Sequence, residues 1–97
     1  MPLYISLMKL TEKGIADIKH APQRLQESEK AMEQMGAKLV QFYMVMGEYD
    51  YVAVAEAPND DVAAAFLMGL GQAGNVRTLT MKAFSREHFA QLVSKLP

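Results

Sequence analysis

Lys19, His20 and Arg24 cluster around Pro22, where the chain is set to begin a helix. Free backbone N–H groups and the positive end of a helix dipole favour an anion there, and an arginine grips a carboxylate bidentately. The same residues have a plainer use, as solvated charges paired with neighbouring acids such as Glu27 and Glu29. His20 is a candidate acid or base by residue type, although a histidine at a helix border is more often polar surface. The only other histidine is His88, and neither has a metal-type partner three or four residues on, so no metal site and no cofactor is expected.

The second candidate group is Gly47-Glu48-Tyr49-Asp50, a short polar turn between two apolar runs. Gly47 can supply a positive φ and Asp50 can accept hydrogen bonds from turn amides, which is turn architecture. Tyr49 and Asp50 would also stand at the rim of a cavity, as ligand contacts or as a base. The glycines Gly69-x-Gly71-x-x-Gly74 match a dinucleotide-binding spacing. They end a helix instead of opening one, and without helix N-terminal amides the motif has no phosphate to hold.

Ten basic and eleven acidic residues are spread over 97 positions, with no basic block to form a nucleic-acid footprint. Cysteine is absent, which excludes disulfides, thiolate metal sites and cysteine nucleophiles. The N-terminus lacks the basic lead and small-residue cleavage site of a signal peptide, and no apolar run approaches the roughly 20 residues that span a bilayer. A single cytoplasmic domain over 1–97 is expected, with no membrane and no nucleic-acid partner.

The elements that position these residues follow from local patterning. Leu3 to Leu10 reads as a strand ended by Thr11, which can cap a helical turn from Glu12 to Lys19. Pro22 interrupts that helix and suits the first position of a second one, with Leu25, Ala31, Met32 and Met35 as its apolar stripe and Gly36 as its stop. Two strands flank the Gly47 turn: Leu39 to Met46 and Tyr51 to Ala57. Asn59 caps the next helix, with Asp60 and Asp61 at its positive end and Val62, Ala65, Phe66, Gly69 and Leu70 turned inward. The small Ala63, Ala64 and Ala65 would let it lie close to a sheet before it dissolves at Gly71 to Gly74. Val76 to Phe84 is the last strand, and Ser85 caps a final helix with Phe89, Leu92, Val93 and Leu96 at i, i+3, i+4 and i+7.

The order is β-α-β-β-α-β plus a C-terminal helix, an α+β fold of the ferredoxin-like, split βαβ kind. Leu39 to Met46 does not alternate: its odd positions give Leu39, Tyr43 and Val45, its even ones Val40, Phe42, Met44 and Met46. Both faces of that strand are therefore apolar. The helices can cover one sheet face. A second copy of the sheet is expected to cover the other, giving a homodimeric α/β barrel or a larger homo-oligomer. The eight methionines suit core and interface packing, and equally an adaptable cavity.

Several of these segments resemble a known family. Gly47-Glu48-Tyr49-Asp50-Tyr51-Val52, then Glu56-Ala57-Pro58-Asn59-Asp60 and Gly74-Asn75-Val76-Arg77-Thr78-Leu79-Thr80, are similar to the GYD-domain family. The opening Thr11-x-x-Gly14-Ile15-x-x-Ile18-Lys19-x-x-Pro22-x-Arg24 fits as well. The resemblance implies a ferredoxin-like fold in a dimeric α/β barrel, and no particular activity. A looser resemblance, through Gly47 to Tyr51 and Val76-Arg77-Thr78-x-Thr80, is to the effector domains of Lrp/AsnC regulators, which bind amino acids at subunit interfaces. No helix-turn-helix precedes the first strand, so this resemblance allows a stand-alone effector module and not a DNA-binding regulator. Pro2 heading a strand resembles the tautomerase superfamily, but a proline base requires removal of Met1.

The functional expectation is a small-ligand-binding module with a cavity between sheet and helices, bordered by Lys19, His20, Arg24, Tyr49 and Asp50, a border that suits a carboxylate-bearing ligand. The alternatives are a cofactor-independent, monooxygenase-like enzyme on the same scaffold, supported by fold analogy alone, and a purely structural subunit.

Overall fold

The computed structural model describes all residues, Met1–Pro97. β1 (Leu3–Leu10) leads into the short α1 (Glu12–Ala16), a 3₁₀ turn (Ile18–His20) and α2 (Ala21–Gln34). β2 (Lys38–Met44) and β3 (Tyr51–Glu56) form the hairpin, followed by α3 (Asp60–Ala73), β4 (Val76–Ala83) and α4 (Arg86–Ser94). The four strands make one antiparallel sheet in the order β2-β3-β1-β4, which is the expected α+β, ferredoxin-like arrangement. No helix is long and apolar enough to cross a membrane.

Local chemistry sets most boundaries. The Thr11 hydroxyl accepts the Gly14 N–H at 3.1 Å and donates to the Gly74 carbonyl at 2.6 Å, so one side chain caps α1 and satisfies the end of α3. Asn59 accepts the Val62 N–H at 2.9 Å and Ser85 the His88 N–H at 3.0 Å. The helix expected over Glu12 to Lys19 breaks at Asp17, whose φ of −110° and ψ of 32° are not helical, and resumes as a 3₁₀ turn. α3 does not dissolve at Gly71. It runs through Gly69 and Gly71 to Ala73 and ends where Gly74 takes a left-handed φ of 82°.

The hairpin departs from simple alternation. Leu39 pairs with Ala55 and Gln41 with Val54, so Val40 is an extra residue on β2. A bulge shifts side-chain parity. Leu39 thereby joins Phe42 and Met44 on the helix side, while Gln41 and Tyr43 pair with Val54 and Val52 on the far side. The apolar far face is built mainly by the other strands: Leu3, Ile5 and Leu7 of β1, Val52 and Val54 of β3, and Leu79 and Met81 of β4.

The core sits at one end of the helix-covered face, where buried Tyr4, Met32, Ala37 and Ala57 pack with Leu39, Ala55, Val62, Ala63 and Phe66. Only eight of 97 residues are buried. α2 packs on β2 and α3 on β4, leaving space between them over the centre of the sheet. Ala65 and Gly69, expected to turn inward, consequently stand exposed along that space, as do Ala31 and Met35 of the α2 stripe.

Candidate functional site

Between α2, α3 and the end of the sheet where β1 stops lies a cleft of about 730 Å³. Its floor is Met8 and Leu10 of β1, Met44 of β2, Tyr51 of β3 and Val76 of β4, and Leu25, Met32 and Met35 form the α2 wall. Ala65, Phe66, Gly69 and Leu70 form the opposite wall on α3. Four of the eight methionines line it: Met8, Met32, Met35 and Met44. Unbranched thioether side chains adapt to irregular apolar shapes, so such a lining suits a ligand of variable outline. Polar groups enter from α2, with Arg24, Glu27, Ser28 and Glu29, and from Asn75 before β4.

Of the five candidate ligand-binding residues Lys19, His20, Arg24, Tyr49 and Asp50, Arg24 alone lines this cleft. Its Nη1 donates to the Asp17 backbone carbonyl and to Asp17 Oδ2, both at 2.8 Å, and its Nη2 donates to the Gly14 carbonyl at 3.4 Å. Arg24 thus ties α2 to the α1 segment before it meets any ligand. His20 Nδ1 lies 2.5 Å from the other Asp17 oxygen. The His20 hydrogen bond, and then the charges of His20 and Arg24, hold the Asp17 carboxyl below its usual range. Lys19 is exposed on the 3₁₀ turn beside them.

Tyr49 and Asp50 lie together in a different place. Asp50 Oδ2 accepts the Leu10 N–H at 2.8 Å, while the Asp50 N–H donates to the Met8 carbonyl at 2.8 Å. The side chain therefore bonds to a strand amide on β1 and not to amides of its own turn. Gly47 has the expected positive φ, 130°. Lys9 reaches over the Tyr49 ring at 5.2 Å from its centre and pairs with Glu48 at 3.6 Å, fastening the loop to β1. Asp50 abuts the cleft in sequence, one residue before Tyr51, yet its carboxylate is spent on the backbone.

A third polar group carries no local signature in the sequence. The Tyr4 hydroxyl donates to Asp60 Oδ1 at 2.5 Å and Lys82 Nζ sits 3.1 Å from the same oxygen. The Asp60 hydrogen bond, with burial, pushes the Tyr4 phenol up to about 12. The Tyr4 bond and the Lys82 ammonium hold Asp60 below its usual range. Asp60 reads in sequence only as a first-turn acid, because its partner stands 56 residues away. The alternation of β1 was the only clue in the sequence, and the β1–β4 register that sets Tyr4 opposite Lys82 exists only in the fold.

The folds and sequences of other proteins agree with this architecture. Over an alignment of 97 residues that covers 99% of each chain, this chain is 33% identical to the glutamine synthetase and cystathionine beta-lyase binding protein of Thermus thermophilus. Among solved structures, FFRP-DM1 superposes with a TM-score of 0.62 at 20% identity, over 87% of this chain and 100% of that one. The hypothetical protein PHS023 of Pyrococcus horikoshii gives 0.57 at 21% identity, over 91% and 95%. At such identities the structural likeness speaks for the fold alone. The family model of the GYD domain matches residues 4–93, so the chain belongs to the GYD domain family.

Proposed function

We propose that this chain is a homo-oligomeric binding protein that holds a small, largely apolar ligand in the cleft between α2 and α3. The observation that carries the reading is the cleft itself: about 730 Å³, with 16 of its 23 lining residues hydrophobic. That size and lining are those of small-molecule sites, where apolar walls supply affinity and a few polar groups set orientation. Arg24 and Ser28 on the α2 side are the groups placed to meet a ligand carboxylate. Lys19 and His20, on the turn that Arg24 fastens, belong to the same basic edge in this reading. Homo-oligomer formation is supported by the apolar far face of the sheet, where exposed Leu79 and Met81 of β4 stand with half-buried Ile5, Leu7, Val52 and Val54.

The relative from Thermus favours a second reading, in which the partner is a metabolic enzyme bound at the protein surface. The two readings are compatible, since a ligand in the cleft could gate such a contact. A cofactor-independent enzyme has less support. His20 and Asp50, its acid–base candidates, do not line the cleft, and they are held by Asp17 and by the Leu10 amide.

A native mass spectrum of freshly purified protein tests the ligand reading. The expected result is an oligomer carrying extra mass of small-molecule size, lost in a Gly69→Leu variant whose new side chain enters the cleft. An oligomer without adduct, and without ligand uptake from a panel of apolar carboxylates, would contradict it. Pull-down against purified glutamine synthetase and cystathionine beta-lyase tests the second reading.

A further inference from the structure

α4 is a regular helix that covers nothing of its own chain. Every residue from Phe84 to Pro97 is exposed. The apolar stripe is open throughout, with Phe89 63%, Val93 48% and Leu96 69% exposed, and Phe84 stacks edge-on against His88 at 4.9 Å. It is not a frayed tail, since the Ser85 cap and a Glu87 in the first turn fix its start. Only Phe84 and Ser85 separate it from β4, and the molecule is drawn out to 53 Å along its longest axis.

The surface area shows what such a helix needs. A compact monomer of this mass exposes about 5,500 Å², and this chain exposes 6924 Å². The excess of roughly 1,400 Å² exceeds the approximately 800 Å² that one partner contributes to a standard interface. The chain thus carries two unpartnered apolar surfaces: the far face of the sheet and the α4 stripe. They are continuous, because Leu79, Met81 and Ala83 on that face lead along β4 directly to the helix. Charge lies only at the two ends of the face, with Lys9 (paired to Glu48) and Arg77 at one and Glu56 opposite Lys38 at the other, and the stretch between them is apolar.

We propose that α4 is a clamp on a second copy of this chain, its Phe89, Leu92, Val93 and Leu96 stripe extending the sheet-face interface onto the partner. The inference rests on the homo-oligomer reading above and adds to it a specific element, which the closing experiment separates from the sheet. The double variant Phe89→Glu, Leu92→Glu removes the stripe, and Leu79→Glu, Val54→Glu alters the sheet face. Sedimentation velocity over a range of concentrations reads the dimer constant of each.

Truncating a central anchor of an interface costs about 2 kcal/mol or more, so each double variant is expected to weaken association at least about 30-fold. An α4 variant that associates as tightly as the wild type, while the sheet variant dissociates, overturns the clamp and leaves the homo-oligomer standing. A wild-type chain that is monomeric at all concentrations overturns both. Hydrogen exchange on the wild type removes any dependence on how the variants fold. The α4 amides are expected to gain protection as the concentration rises through the dimer constant, and protection that does not change overturns the clamp.

Discussion

The Asp50 carboxylate accepts the backbone N–H of Leu10 at 2.8 Å, the last residue of β1, forty positions away. β3 begins only at Tyr51, so without this bond the Leu10 amide has no strand partner on the β3 side. An unsatisfied, partly buried amide costs about 1–3 kcal/mol. Asp50→Ala is therefore expected to lower the stability by that amount in urea denaturation, and Asp50→Asn, which keeps an acceptor, by distinctly less. Equal stability of Asp50→Ala and the wild type would free Asp50 for a ligand role.

Two glycines are expected to respond in opposite directions. A Cβ on Gly14 would meet the Asn75 carbonyl oxygen at 2.1 Å, backbone that α1 is already stitched to through Thr11. Gly14→Ala should destabilise the chain by about 1–3 kcal/mol through overpacking. A Cβ on Gly69 meets nothing within 4 Å. Gly69→Ala removes a flexible residue from a helix interior and should stabilise by about 0.5–1 kcal/mol. Thermal melts of the two variants check both signs.

Stability is expected to fall at both ends of the pH scale through Tyr4 and Asp60. Asp60 has its carboxyl lowered by the Tyr4 bond and by Lys82, so its contribution is present at neutral pH. That contribution is lost as the pH drops below about 4 and through the lowered value, and Asp17 acts in the same sense. Tyr4 is raised to about 12. Its contribution is complete below about pH 10 and disappears between there and about 12. Tyr4→Phe should abolish the alkaline loss, lower the stability at neutral pH and make the acid loss shallower, because Asp60 loses the bond that most lowers its carboxyl; all three are readable in melting temperature against pH. Absorbance titration of the wild type should show a tyrosine step near pH 12 that Tyr4→Phe removes.

Filling the cleft should separate binding from folding. Gly69→Leu places a side chain in the open space between α3 and α2, so ligand retention is expected to disappear while the melting temperature holds or rises. Arg24→Ala should lose retention of carboxylate-bearing ligands and also some stability, because Arg24 ties α2 to Asp17 and Gly14. Retention measured by native mass spectrometry, set beside melting temperature, distinguishes the two.

Much of the architecture is written locally in the chain. Thr11, Asn59 and Ser85 cap helices because a short side-chain oxygen can reach an amide three residues on, and Gly74 ends α3 because it accepts a positive φ. Such bonds depend on near neighbours, so residue type and spacing suffice to place them, and the βαββαβ order follows. Tertiary structure alone decided the rest. The bulge at Val40 arises from how β2 registers on β3, and it moves Leu39 to the other face from the one parity assigns. The Tyr4–Asp60 and Asp50–Leu10 bonds join residues 56 and 40 positions apart, where no sequence period connects them. The cleft exists because α2 and α3 settle over different strands, so Ala65 and Gly69 line an opening instead of a close helix–sheet contact. Local hydrogen bonding is a property of neighbours in the chain, whereas empty space is a property of elements that have already been placed.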